Sequence, residues 1–224
     1  MVLNVVIMAA GQGTRMRSAR PKVLHTLAGR HLLQHVLGAA AGLGSARIVV
    51  VTGHGADEVE RALGAPGLAF VRQEPQLGTG HAIQQAAPLL DDAGTTLVLN
   101  GDVPLIETET LRRLVAAAAG GTLALLTVEP SEPRGYGRIV RSNSGAITAI
   151  IEEKDASDAQ RAIREVYTGA MAAPTRLLKR WLALLTNANA AGEYYLTDVV
   201  KSAVGEGVAV TGVAASGETE VLGV

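Results

Sequence analysis

Cysteine is absent from the 224 residues, which excludes disulfides and thiolate metal sites and fits a reducing, cytoplasmic setting. Aromatic residues make up 3% of the chain, too few for the stacking platforms on which single-stranded nucleic acids lie. Neither sign of charge prevails. The 20 Lys and Arg are scattered against 21 Asp and Glu, giving a net charge of -1, so no basic patch marks a nucleic-acid or anionic-membrane partner. No cationic leader followed by an apolar stretch precedes the first apolar run, and no uninterrupted apolar span reaches bilayer length; the chain is expected to be unprocessed. A short-period hexapeptide pattern is also missing, so no left-handed β-helix is expected. His25, His31, His35, His54 and His81 are not spaced as metal ligands, and with the lone Trp181 they read as structural or exposed.

What the chain does have is 48% hydrophobic residues, enough to bury a full core in one large domain or a domain with a small lobe. Compact apolar runs at 3–9, 47–52, 68–72, 96–100 and 122–128 alternate with helical periodicity at 31–43, 56–63, 81–90 and 107–119. That alternation predicts an α/β fold with a mostly parallel sheet and flanking helices. From Pro130 the chain turns polar and irregular. A hairpin is expected at 138–141 and 147–151 around Asn143-Ser144-Gly145, then a strand at 166–172, a helix at 175–185 and a short helix after Tyr195-Leu196-Thr197-Asp198.

The first chemical motif is Ala9-Ala10-Gly11-Gln12-Gly13-Thr14-Arg15-Met16, with Pro21-Lys22 behind it, directly after the first strand. Gly11 and Gly13 let the main chain approach a ligand closely, so that backbone N–H groups converge on phosphate oxygens. Arg15 supplies a planar fork of donors and Lys22 a mobile point charge. The competing reading is a βα turn with incidental cations, since the third glycine of a dinucleotide fingerprint is absent.

In Leu97-Val98-Leu99-Asn100-Gly101-Asp102, a carboxylate stands two residues beyond an apolar strand, at the sheet edge where α/β proteins bind ligands. One such Asp, with substrate phosphates and water, suffices for Mg²⁺; otherwise it is a turn residue. The segment Gln73-Glu74-Pro75-Gln76-Leu77-Gly78-Thr79-Gly80 offers two amides able to read a pyrimidine edge beside a close-approach glycine turn. Its plain alternative is a loop with Thr79 as a helix N-cap.

Together, Ala-Ala-Gly-x-Gly-Thr-Arg-Met, Pro-Lys-Val-Leu-His, Gln-Leu-Gly-Thr-Gly-His-Ala, Gly-Asp-Val-Pro-Leu, Gly-Tyr-Gly-Arg-Ile and Glu-Tyr-Tyr-Leu-Thr-Asp occur in this order. Over nearly the whole chain they resemble the uridylyltransferase domain of bacterial bifunctional N-acetylglucosamine-1-phosphate uridyltransferase / glucosamine-1-phosphate acetyltransferases. The resemblance implies a Rossmann-like nucleotide-diphospho-sugar transferase fold, with a nucleotide-binding part at 1–129 and a sugar-binding part at 130–224. It implies that UTP and N-acetylglucosamine 1-phosphate are joined into UDP-N-acetylglucosamine and pyrophosphate with Mg²⁺, for cell-wall precursor synthesis. Acetyl transfer is not expected, and the chain alone is expected to be monomeric, because the family trimer is organised by the β-helix.

Carried over by motif, Met8, Ala9, Ala10, Gly11 and Gly13 would contact the nucleotide, with Gln73, Gln76, Gly78 and Thr79 around uracil and ribose. Arg15 and Lys22 would hold the triphosphate, and Asp102 the metal. Asn100, Gly101, Gly137, Glu152, Tyr167, Tyr195 and Thr197 would hold or wall the sugar. Three departures stand out. Tyr167 replaces a family Asn, Asn100 replaces a common aromatic, and the family's second metal ligand, an Asn, would follow Val224. The alternatives are a nucleotide-binding module without turnover, a relative with altered sugar specificity, and a dinucleotide-binding dehydrogenase. The last would need an acid at the end of the second strand, where Val51-Thr52-Gly53 stands.

Overall fold

Leu3–Ala9 forms β1, and its side chains divide between the two faces of a sheet. Val5, Ile7 and Ala9 join the cluster of Leu33, Val36 and Leu111, whereas Val6 joins Ile83, Met171 and Leu178. A strand covered on both faces is apolar nearly throughout, as at the centre of a parallel sheet. Its one polar residue, Asn4, is fully buried and satisfied: Nδ2 donates to Thr175 Oγ1 (3.0 Å) and to the Asp91 carbonyl (3.1 Å). The computed structural model describes residues 2–11, 13, 18, 20–44 and 46–224, with only the backbone of Ala46.

After β1 come a 3₁₀ turn (Lys22–Leu24), a small ribbon of β2 (Thr26–Leu27) and β3 (Arg30–His31), and α1 (Leu32–Ala41). The alternation continues with β4 (Ala46–Thr52), α2 (Ala56–Leu63), β5 (Leu68–Arg72), α3 (Thr79–Ala86), β6 (Thr95–Asn100), α4 (Thr108–Ala117) and β7 (Leu123–Val128). The second part holds the hairpin β8 (Gly137–Arg141) and β9 (Ile147–Ile151), α5 (Asp158–Arg161), β10 (Val166–Pro174), α6 (Thr175–Leu182), α7 (Val199–Gly205) and β11 (Val210–Ala214).

The main sheet runs β11-β7-β10-β6-β1-β4-β5. Strands β6, β1, β4 and β5 are parallel. Strand β10 lies antiparallel to both β6 and β7, and β11 pairs parallel with β7. The hairpin is tied to this sheet where Arg138 and Gly137 pair with Val166 and Tyr167. The mostly parallel sheet, its helices and the hairpin-bearing second part agree with the sequence reading.

Two differences have physical causes. Helix α6 stops at Leu182, before the predicted 185, as the chain turns toward Asn187 with the Leu184 N–H donating to the Trp181 carbonyl (3.0 Å). Strand β11 was not anticipated, because Val210-Thr211-Gly212-Val213-Ala214 is half-exposed at the sheet edge and its small residues leave little hydrophobic signal. The lone Trp181 is fully buried, with Nε1 donating to Glu206 Oε2 (2.7 Å), so it is a core residue with a satisfied polar tip.

Strand β10 breaks register between Tyr167 and Met171. Gly169 sits there at φ +95°, and a Cβ on it would lie 2.0 Å from Asn100 Nδ2. Only glycine therefore lets the bulge close over the end of β6.

Candidate active site

The carboxyl ends of β1, β5 and β6 open onto one cleft of ≈ 520 Å³. Met8, Ala9, Ala10 and Gly11 line it from β1, Gln73, Gln76, Gly78 and Thr79 from the loop after β5, and Asn100 and Asp102 from the end of β6, with Lys22 between. This is where ligands bind in open α/β sheets. Gly101 lies beneath: its N–H donates to the Met8 carbonyl (2.9 Å), locking the end of β6 to β1. Arg15 lies outside the described residues.

Lys22 and Asp102 form an ion pair, Nζ to Oδ2 at 2.6 Å, with side chains 24% and 29% exposed. Pro21, at φ −51° and ψ 134°, sets the entry to the 3₁₀ turn from which Lys22 projects. Gly13 adopts φ +58°, and a Cβ there would come within 2.8 Å of Lys22 Cβ. The glycine turn and the lysine are therefore packed against each other, and both border a second cavity of ≈ 770 Å³ that shares Gly11, Lys22, Asn100 and Asp102 with the cleft.

The loop after β5 is built by its own side chains. Gln73, 3% exposed, donates from Nε2 to the Gly78 carbonyl (2.8 Å) and lies 3.2 Å from His81 Nδ1. One amide predicted to face a base is thus engaged in shaping the loop, while Gln76 also lines the cleft. Thr79 does not cap its helix; its Oγ1 accepts from the Leu196 N–H (3.0 Å). With Gly80 N–H donating to the Tyr194 carbonyl (2.7 Å) and Tyr194 N–H to the Leu77 carbonyl (2.8 Å), the loop after β5 is stitched to the segment of Tyr195 and Thr197.

In the second part, Thr197 Oγ1 donates to Glu152 Oε1 at 2.8 Å, and Glu152 Oε2 lies next to Gly137, 3.5 Å from where a Cβ would stand. Thr197 caps no helix; Asp198 stands at the N-cap of α7. Burial pushes the Glu152 carboxyl above its ordinary value, and Asp198, Asp155 and Glu193 add to that, against the pull of the Thr197 hydrogen bond. Burial, with Asp155 and Glu152 nearby, pushes the Tyr195 phenol up to about 12. Tyr167 is 7% exposed and its hydroxyl finds no partner among the described residues. Burial and then the Glu152 charge hold that phenol neutral, well above its usual range. It borders neither cavity and stands as a wall behind the cluster.

Among the described residues no three His, Cys, Asp or Glu gather to hold a metal ion. Two carboxylates line the cleft, Asp102 and Glu193, and one oxygen of Asp102 is already bound by Lys22. His31 Nδ1 donates to the Leu24 carbonyl (2.7 Å) and His35 Nε2 to the Leu27 carbonyl (2.9 Å), which are structural roles. The sequence reading assigned no role to Val23, Ala82 and Glu193 in the cleft, or to Arg134, Tyr136, Thr168 and Val221 in the second cavity. Glu193 opens the Glu-Tyr-Tyr motif and Arg134 precedes Gly-Tyr-Gly, so adjacency to those motifs was the available signal.

No described helix is long and apolar enough to cross a membrane. The MobA-like NTP transferase domain matches residues 5–191. The bifunctional protein GlmU of Methylibium petroleiphilum is 66% identical over 231 residues, covering 100% of this chain and 50% of that protein. That of Paracidovorax citrulli is 61% identical over 226 residues, covering 99% and 48%. The chain spans about half the length of the curated relatives it matches. In fold it is similar to a solved nucleotidyl transferase from Methanothermobacter, at 24% identity and TM-score 0.68, with 100% of this chain and 91% of that one covered. A nucleotide-sized cleft at the carboxyl edge of a mostly parallel sheet, a glycine turn packed on a lysine, and these matches lead to one conclusion: the chain belongs to the MobA-like NTP transferase family.

Proposed function

We propose that this chain transfers a uridylyl group from UTP to N-acetylglucosamine 1-phosphate, giving UDP-N-acetylglucosamine and pyrophosphate. The observation that carries the reading is the Lys22–Asp102 pair, at the floor of a cleft bordered by the Gln73–Thr79 loop, with the Glu152–Thr197 cluster stitched to that loop. The high identity to proteins named bifunctional protein GlmU supports it.

In this reading the base lies against Gln76, Gly78 and Thr79, and the main chain of Ala9–Gly11 lies along the ribose and phosphates. Gln73 holds that loop in shape. Glu152, Thr197, Tyr195 and Gly137 bind the sugar, with Tyr167 and Asn100 as walls. A phosphate oxygen of the sugar phosphate attacks the α-phosphorus of UTP. The new O–P bond forms as the bond to the β-phosphate bridging oxygen breaks, and pyrophosphate leaves with that electron pair. The attacking oxygen is already anionic, so no protein base is required. The chain's work is to align two polyanions and to offset their charge through Lys22 and Arg15.

Nucleotidyltransferases of this kind generally use a divalent metal. The donor set here, fewer than three clustered protein ligands with space for substrate phosphates and water, fits Mg²⁺ better than a cation that needs a protein cage. Asp102 would hold it, and when bound it supplies charge neutralisation at the phosphates.

The test is pyrophosphate release by the 224-residue chain across nucleotide and sugar phosphate pairs. Release with UTP and N-acetylglucosamine 1-phosphate well above other pairs is expected. Equal or greater release with another sugar phosphate would replace the substrate assignment, and binding of UTP without any release would favour the module without turnover.

A further inference from the structure

We infer that Arg134 is a phosphate-binding residue, holding the pyrophosphate end of the nucleoside triphosphate from the hairpin side of the cleft. This rests on the uridylyl-transfer reading and adds a contact from the opposite half of the molecule.

Arg134 lines the ≈ 770 Å³ cavity, which meets the nucleotide cleft at Gly11, Lys22, Asn100 and Asp102. Of these two cavities Gln73 and Gln76 border the first but not the second, whereas Gly11 and Lys22 border both. A nucleotide with its base toward Gln76 therefore carries its phosphates past Gly11 and Lys22 into the second cavity. A polyphosphate entering there needs cations. Lys22 is already bound to Asp102, while the Arg134 guanidinium has no carboxylate partner among the described residues.

The turn that carries Arg134 is anchored from behind. Arg138, 2% exposed, pairs with Glu153 Oε2 at 2.7 Å, and the same oxygen accepts from the Gly135 N–H at 3.3 Å. Tyr136 N–H donates to the Pro133 carbonyl (3.3 Å), and Arg134 N–H to Glu132 Oε1 (3.0 Å). The backbone of the turn is thus fixed by the ion pair of a buried arginine with a half-buried glutamate, and the Arg134 side chain is left exposed at the cavity. A planar fork of donors in that place suits phosphate oxygens. Because the anchor is Arg138 and not Arg134, Arg134 can be replaced without disturbing the fold.

The experiment compares Arg134→Ala and Arg134→Lys with the parent chain in two assays. In equilibrium titrations without acceptor, Arg134→Ala is expected to weaken UTP roughly tenfold or more, the scale of one lost hydrogen bond to a charged group, and to leave UMP unchanged. In the reverse direction, its KM for pyrophosphate rises by a similar factor while that for UDP-N-acetylglucosamine holds, and Arg134→Lys recovers part of the loss. Equal losses for UMP and UTP, an effect confined to the sugar phosphate, or no change in either assay would overturn the assignment. Failure of the parent chain to bind UTP at all would instead overturn the uridylyl-transfer reading beneath it.

Discussion

Lys22 Nζ lies 2.6 Å from Asp102 Oδ2, so the cation behind the glycine turn and the carboxylate beyond β6 hold each other across the cleft floor. Both are needed for the proposed reaction, but in different partnerships: the lysine with phosphate, the carboxylate with metal. Substrate binding is therefore expected to exchange one ion pair for two.

That exchange makes the two residues separable. Asp102→Ala should abolish metal-dependent pyrophosphate release, by about a hundredfold or more. The same change frees Lys22, so UTP binding in the presence of a chelator should be retained or tightened. Lys22→Ala should weaken both. Pyrophosphate assays and titrations with UTP measure this, and near-normal turnover in Asp102→Ala would remove the metal role.

Tyr167 carries a buried hydroxyl without a partner among the described residues. An unsatisfied buried group costs about 1–3 kcal/mol, so Tyr167→Phe should leave stability unchanged or raise it within that range. Its KM for the sugar phosphate should not move, because the phenol is a wall. Tyr167→Asn should lower that KM by placing an amide where the family carries one, at a cost in packing. Thermal melts and steady-state kinetics decide both, and a loss of stability in Tyr167→Phe would show that the hydroxyl is used.

Glu152 brings a pH dependence of definite sign. Burial raises its folded-state pKa above the ordinary 4.5, so the folded chain binds its proton more tightly than the unfolded chain does. This group's contribution therefore falls as pH rises from about 4.5 to the raised folded value, and it is constant outside that window. Glu152→Gln should flatten that part of the stability-against-pH curve and weaken sugar-phosphate binding. Denaturant titrations across the window provide the check; an unchanged slope would mean that the carboxyl is not strained by burial.

Gly169→Ala should destabilise the chain by about 1–3 kcal/mol, since φ +95° is unfavourable for any side chain and the added methyl meets Asn100. Asn100→Ala in the same chain should recover the steric share and leave the backbone share. Full additivity of the two changes, measured by unfolding, would contradict the contact.

Much of this protein was legible in the sequence because its signals are local. The apolar runs of β1, β4 and β6 and the helical periodicity of α2 and α4 follow from burial on two faces or one, and burial pattern is written residue by residue. The Gly11–Gly13 turn, Asp102 beyond β6 and the Gln73–Thr79 loop were recognisable from residue type and place after a strand. Strand β11 was not, since an edge strand of small, half-exposed residues leaves no such pattern.

What the sequence determined by itself was the fold class and the candidate residues of the nucleotide side. Tertiary structure alone decided how they are used. It paired Lys22 with Asp102, engaged Gln73 in shaping its own loop, turned Thr79 toward Leu196, and isolated the Tyr167 hydroxyl. It also brought Arg134 to a cavity shared with Gly11. Apart from Gln73, whose partner Gly78 is close in sequence, these relations depend on residues far apart in the chain, set by sheet order and by the bulge in β10, and no local preference of a residue encodes which distant partner it will meet.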